Sequence, residues 1–173
     1  MTSADRSWLE TLRIYAHPRV IGMLFLGFSA GLPFLLVFST LSAWLTDYDV
    51  SRSTIGFFSW VVVTYSIKVF WAPVVDRLGL GPLTRHLGKR RGWMLLAQLV
   101  IGGGLLAMAT LDPRADLTMI ALCALVVAFG SATQDITIDA YRSEAVADEL
   151  QAAMAATSIL GYRLAWRTAG AGA

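Results

Sequence analysis

The sequence predicts an all-α, polytopic membrane protein, and three observations predict it. Of its 173 residues, 56% are hydrophobic and 15% charged, against roughly 25% charged in a soluble domain. The mean hydropathy is +0.60. The apolar residues are gathered into long runs, and the stretch 117–133 carries no charge at all. No alternating strand pattern is visible, and in lipid only helices or closed barrels satisfy the backbone.

Five spans are expected, at 20–45, 54–75, 93–111, 117–141 and 150–173, each near the ~20 residues that cross a bilayer. Residues 1–19 then form a leader and 20–173 a partial N-terminal transmembrane bundle. The first apolar run is longer than a signal-peptide core, and Asp5 and Glu10 dilute its basic start, which argues against a cleaved signal.

The first span contains "GFSAGLP", in which Gly27 and Gly31 stand four apart. That is a small-xxx-small face on which two helices can approach closely. Pro33 follows and removes a backbone donor, so a bend is expected there. In the third span, Gly102, Gly103 and Gly104 fit close packing or local flexibility. Trp44, Trp71 and Trp93 stand at span ends, where amphipathic rings favour the headgroup zone. Cys123, the single cysteine, excludes an internal disulfide and reads as a small packing residue.

Orientation follows from lysine and arginine in the short loops. The leader holds Arg6, Arg13 and Arg19, and the loop after the second span holds Arg77, Arg85, Lys89, Arg90 and Arg91. The two intervening loops offer only Arg52 and Arg114 against Asp47, Asp49, Asp112 and Asp116. The N-terminus and the basic loop are therefore expected in the cytoplasm. The fourth loop should join them, although Glu144, Asp148 and Glu149 make it acidic.

Charges inside the spans carry the functional signal. On a helix, Ser131, Asp135, Asp139 and Arg142, spaced by four, four and three, share one stripe. Asp139 and Arg142 can pair. Asp135 then lies roughly 10 Å below Arg142, within the hydrocarbon. Burying a carboxylate costs about 2.5–3.5 kcal/mol on insertion scales, so it should face protein or a watery cavity. A carboxyl in such a place can exchange a proton near neutral pH. Lys68 lies eight residues before Asp76, about 12 Å from the same edge and close to the depth of Asp135. Arg163 falls near mid-membrane on the fifth span, with Arg167 beyond it. Together with Gln134, these residues describe a polar cavity between helices. Snorkelling for Lys68 and a solvated helix end for Asp139 are the plain alternatives.

Several motifs also resemble a known family. "LGFSAGLP", "STLSAWLTD", "IGFFSWVVVTYSIKVFWAPVVDR", "GKRRGW" and "SATQDITIDAYRSE" with the later "GYRL" are similar, in order, to the AmpG-type muropeptide permeases of the major facilitator superfamily. The resemblance implies a multi-pass carrier of the bacterial inner membrane that uses the proton gradient to import peptidoglycan-derived muropeptides for cell-wall recycling. It implies no enzyme activity, no cofactor and no metal; the partners are membrane lipid, protons and a small sugar-peptide solute. The small net charge of +2 gives no sign of nucleic-acid binding. Asp76, Arg77, Lys89, Arg90 and Arg91 resemble the superfamily's cytoplasmic gating loop, although Ala72 stands where glycine is usual. Asp135 and Asp139 are then the proton-coupling candidates, and Lys68, Gln134 and Arg163 the substrate-binding ones.

That superfamily has twelve helices in two halves, so this chain is expected to be the N-terminal portion of a truncated carrier. A complementary C-terminal fragment would complete it. A siderophore permease of the same superfamily and a non-transporting membrane fragment are the alternatives. A membrane enzyme holding Mg²⁺ through the D-x-x-x-D pair would need a second acidic cluster that the spans lack.

Overall fold

The structure, a computed structural model, describes residues 8–58, 61–144 and 148–170. Arg6 of the leader, residues 59–60 of the second expected span and 171–173 of the fifth lie outside the described residues.

Among the described residues nine α-helical segments follow in order and no strand is present. The leader forms α1 (Trp8–Tyr15), and α2 (Pro18–Leu35) starts after His17. His17 is extended, its ring Nδ1 accepts from the Arg19 amide, and Pro18 opens the helix where no amide is needed. A π-helical stretch, Leu36–Thr40, joins α2 to α3 (Leu41–Asp47) without a break in the rod. The irregularity expected of Pro33 thus appears as a wide turn three residues later, one of the recognised ways a helix absorbs a bend. Next come α4 (Arg52–Phe58) and α5 (Val61–Arg77). Gly81 and Gly88, both at positive φ, bracket the short α6 (Pro82–Leu87) and turn the chain into α7 (Lys89–Ala109). The bundle closes with α8 (Leu117–Glu144) and α9 (Asp148–Gly170).

Among the described residues, three helical rods are long and apolar enough to cross a membrane: Pro18–Asp47, Lys89–Ala109 and Leu117–Glu144. This corrects the expectation of five. The described part of α5 has 17 residues with Lys68 inside it, and α9 carries Asp148, Glu149, Arg163 and Arg167. Both are too short or too polar to qualify by composition. The protein is nevertheless a helical, multi-pass membrane protein.

The closest seam lies between α2 and α9. Gly27 sits directly against the Ser158 carbonyl, and Gly161 against the Leu24 carbonyl. A Cβ on Gly31 would stand 2.9 Å from Ala165 Cβ. The small-residue face read in the first span is therefore used, and its partner is the Ser158, Gly161 and Ala165 face of α9. Gly104 and Gly130 let α7 and α8 approach each other in the same way, whereas Gly102 and Gly103 look onto open space.

Two of the three tryptophans expected at the headgroups serve the interior instead. Trp93 is buried and donates to the Leu78 carbonyl at 3.0 Å. Trp71 donates to Thr133 Oγ1 at 3.2 Å and lies against Trp93 and Phe129. A span end that is stapled to neighbouring helices gives its aromatic ring protein partners, and here that outweighs the preference for the interface.

Candidate functional site

α8 is the spine of the site. Its middle third, Gly130–Ile138, is buried except for half-buried Asp135. The two threonine hydroxyls of this stretch satisfy themselves on their own helix: Thr133 Oγ1 donates to the Phe129 carbonyl and Thr137 Oγ1 to the Thr133 carbonyl, each at 2.8 Å. The carboxylates have no such recourse, because ionised Asp only accepts. They must face cations or water.

The structure brings Lys68 towards them. A cleft of about 560 Å³ between α5 and α8 is lined by Lys68, Val69, Ala72, Ile136 and Asp139, and at its end by Asp76, Arg90 and Glu144. Asp135, one helical turn before Asp139, is in electrostatic range of both Lys68 and Asp139. Among the described residues, Lys68 forms no contact ion pair. It is held near two carboxylates without being locked to either. Asp139 pairs with Arg142 at 3.4 Å, the spacing of three that the sequence suggested. On its other side, Asp135 is in electrostatic range of Tyr162 of α9.

The remaining candidates are placed otherwise. Gln134 is fully buried on the α2 side of α8, where its Nε2 donates to Ser29 Oγ at 2.8 Å. Gln98 of α7 reaches the same hydroxyl at 3.4 Å. The Ser29 hydroxyl thus ties three helices together, and Gln134 Oε1 is buried with no partner among the described residues. Arg163 is exposed. It lies two residues from both Gly161 and Ala165, hence about 200° round the helix from the face packed on α2. It does not enter the cleft.

At the end of the cleft, α5, α7 and α8 are bound together by charge. Arg90 is only 16% exposed and donates to Asp76 Oδ1 at 2.6 Å. Its Nε reaches Glu144 Oε2 at 3.0 Å, and a second guanidinium nitrogen reaches Oε1. Lys89 caps the Asp76 carbonyl, where a cation suits the C-terminus of α5. Arg77 and Arg91 are exposed and stand outside this cluster. Glu144 is the member that sequence reasoning missed, having been read as one acid of a loop. Its signal was available: an acidic residue next to a loop expected to be basic calls for a basic partner.

Among the described residues, no three His, Cys, Asp or Glu side chains gather as a metal site would need. With Arg142 on Asp139, the D-x-x-x-D pair has neither a free second acid nor a third.

Comparison with known proteins fits this arrangement to a family. The model of the family described as acetyl-coenzyme A transporter 1 matches residues 20–112, just over half of the chain. The anhydromuropeptide permease of Escherichia coli (strain K12) is 42% identical over 161 residues, 93% of this chain and 32% of the permease. Putative transporter AmpG 4 of Rickettsia conorii is 33% identical over 165 residues, 95% of this chain and 40% of that protein. An uncharacterized protein of Haemophilus influenzae is 40% identical over 141 residues, 82% of the chain and 32% of its own length. The chain therefore spans about a third of the length of the curated relatives it matches. No solved structure matches.

Proposed function

The chain belongs to the transporter family described as acetyl-coenzyme A transporter 1 and is similar to AmpG-type permeases, and from these we propose that it forms one wall of a proton-coupled importer of muropeptides. It is a transporter chain and not an enzyme.

The observation that carries the proposal is the α5–α8 cleft, with Lys68 close to Asp135 and Asp139. Ionisable groups within membrane helices are costly and line ion or solute paths. Lys68, unlocked, can exchange Asp135 for a carboxylate of the solute. Proton uptake on Asp135 would free the lysine to make that exchange, so solute and proton enter together. Asp139, held by Arg142, is the less available of the two acids. Gln134 orients α8 through Ser29. Arg163, on the open face of α9, is a second anchor for an anionic solute. The α5–α7–α8 charge cluster of Asp76, Arg90 and Glu144 works as the gate end, with Lys89 on α5. Arg77 and Arg91 lie free to engage helices beyond this chain. The setting is the bacterial inner membrane, with the N-terminus in the cytoplasm.

Muropeptide is preferred to an acyl-coenzyme A for a specific reason. The family model ends at residue 112, before α8 begins, whereas the anhydromuropeptide permease matches over 93% of the chain. Such a solute carries sugars and carboxylates, which suit a cleft whose lysine forms no contact ion pair among the described residues.

The test is a chimera in which this chain replaces the matching third of the Escherichia coli permease, expressed in cells lacking their own. Labelled anhydromuropeptide should accumulate and a protonophore should abolish the accumulation. Lys68→Met should raise the half-saturating solute concentration about tenfold or more, the loss of one charge-assisted contact of about 1.5–3 kcal/mol. Unchanged affinity in a chimera that inserts normally would remove Lys68 from the solute path.

A further inference from the structure

α1 is not used by the transport reading, and its surface is unusual for a leader. Trp8, Leu12 and Tyr15 are 86%, 64% and 44% exposed. Spaced by four and three, they fall within about 60° of one another on the helix. Ile14, on another side, is half-buried and packs on the cluster of Val20, Met23, Ile138, Ala153 and Met154. The helix is thus anchored to the bundle by one side while its aromatic and leucine face is bare. Arg13, one residue from Leu12, is exposed on a third side.

Where the bare face sits is fixed by the chain. Only Ala16 and His17 separate α1 from the membrane-spanning rod that begins at Pro18. His17 is extended, so α1 does not continue the axis of α2. The Ala16 amide returns to the Leu12 carbonyl at 2.9 Å and the Val20 amide to the His17 carbonyl at 2.9 Å. Hydrogen bonds therefore close both sides of the corner. A helix tied this closely to a span entrance lies at the membrane boundary. Trp and Tyr are the residues enriched at that level, because each has an apolar ring and a polar tip.

We propose that α1 is an interfacial helix that seats Trp8, Leu12 and Tyr15 in the headgroup and upper acyl zone of the leaflet through which α2 enters. Its partner is the lipid surface itself, with Arg13 turned towards lipid phosphates and water. An amphipathic helix of this kind binds by buried apolar area plus attraction to anionic lipid. It fixes the height at which α2 enters the bilayer, which a leader in solution could not do.

The test uses the full chain with Cys123→Ser, which removes the single cysteine. Leu12→Cys and Arg13→Cys are each given a nitroxide label and reconstituted into vesicles of phosphatidylcholine with a minority of phosphatidylglycerol. The label at 12 should collide with dissolved oxygen and be shielded from a water-soluble nickel complex, and the label at 13 should do the reverse. Tyr15→Cys should follow Leu12→Cys, giving a second reading independent of the first variant's folding. Equal access of the nickel complex to 12, 13 and 15 would overturn the proposal, since α1 would then be in solution. An immobilised label at 12, shielded equally in detergent and in vesicles, would overturn it in favour of a protein partner.

Discussion

Replacing Gly161 with alanine puts a methyl group where α9 crosses α2, and the structure sets the scale of the result. A Cβ at this position runs into the Leu24 carbonyl oxygen, with the Leu24 carbonyl carbon at 3.0 Å and the Phe28 amide nitrogen at 2.8 Å. Carbon atoms settle about 3.5–4.0 Å apart, and the Leu24 oxygen is nearer still than these two atoms, so the helices must part by at least roughly 1 Å. The obstructing atoms are backbone, and no rotamer change removes them. A gap of that size forfeits about a quarter to a half of each contact along the seam. Overpacking of this kind costs about 1–3 kcal/mol, against a gain of up to about 1 kcal/mol from replacing glycine in a helix. The net expectation is a loss of about 1–2 kcal/mol. It is read by titrating the chain, in mild detergent, with dodecyl sulfate while following helical circular dichroism. Gly102, with nothing within 4 Å of its added Cβ, is the control: Gly102→Ala should be neutral or slightly stabilising. If Gly161→Ala unfolds at the same point as Gly102→Ala, the α2–α9 seam is not packed through Gly161.

Arg90→Ala, measured in the same titration, should cost about 1–2 kcal/mol, because one nearly buried guanidinium serves two half-exposed carboxylates. Arg90→Lys should restore only part of it, since an ammonium cannot form the forked contact with Glu144; full rescue by lysine would show that point charge alone suffices. Thr133→Val should cost about 1 kcal/mol by leaving the Trp71 indole N–H without its acceptor. Unfolding indistinguishable from the parent chain would mean that this bond contributes nothing.

The helical class was legible because long uncharged runs such as 117–133 leave few alternatives. The Asp139–Arg142 pair was legible for a similar reason: a spacing of three is a local geometric fact of a helix. Gly27 and Gly31 announced a close helix contact, but not its partner. Which helix lies opposite is a tertiary choice, settled by the small residues Ser158, Gly161 and Ala165 a hundred residues and more away. For Arg163 the depth along a helix was readable, but the direction it faces depends on how α9 is packed. Gln134 was read as a candidate solute contact, yet the Ser29 hydroxyl on α2 takes its amide. Among the described residues three rods qualify as spans rather than the five expected, because the described part of α5 has 17 residues and α9 is lowered in hydropathy by its charges.

In the proposed mechanism Asp135 carries the proton that accompanies the solute. The measurement that tests it most directly is solute-driven proton influx, recorded as alkalinisation outside cells or vesicles containing the permease chimera. On adding anhydromuropeptide, the parent chimera should take up protons with the solute. Asp135→Asn, inserted at the same level, should bind solute without proton uptake and without accumulation. Proton influx in Asp135→Asn at the parent ratio to solute would contradict the account and move the coupling site elsewhere.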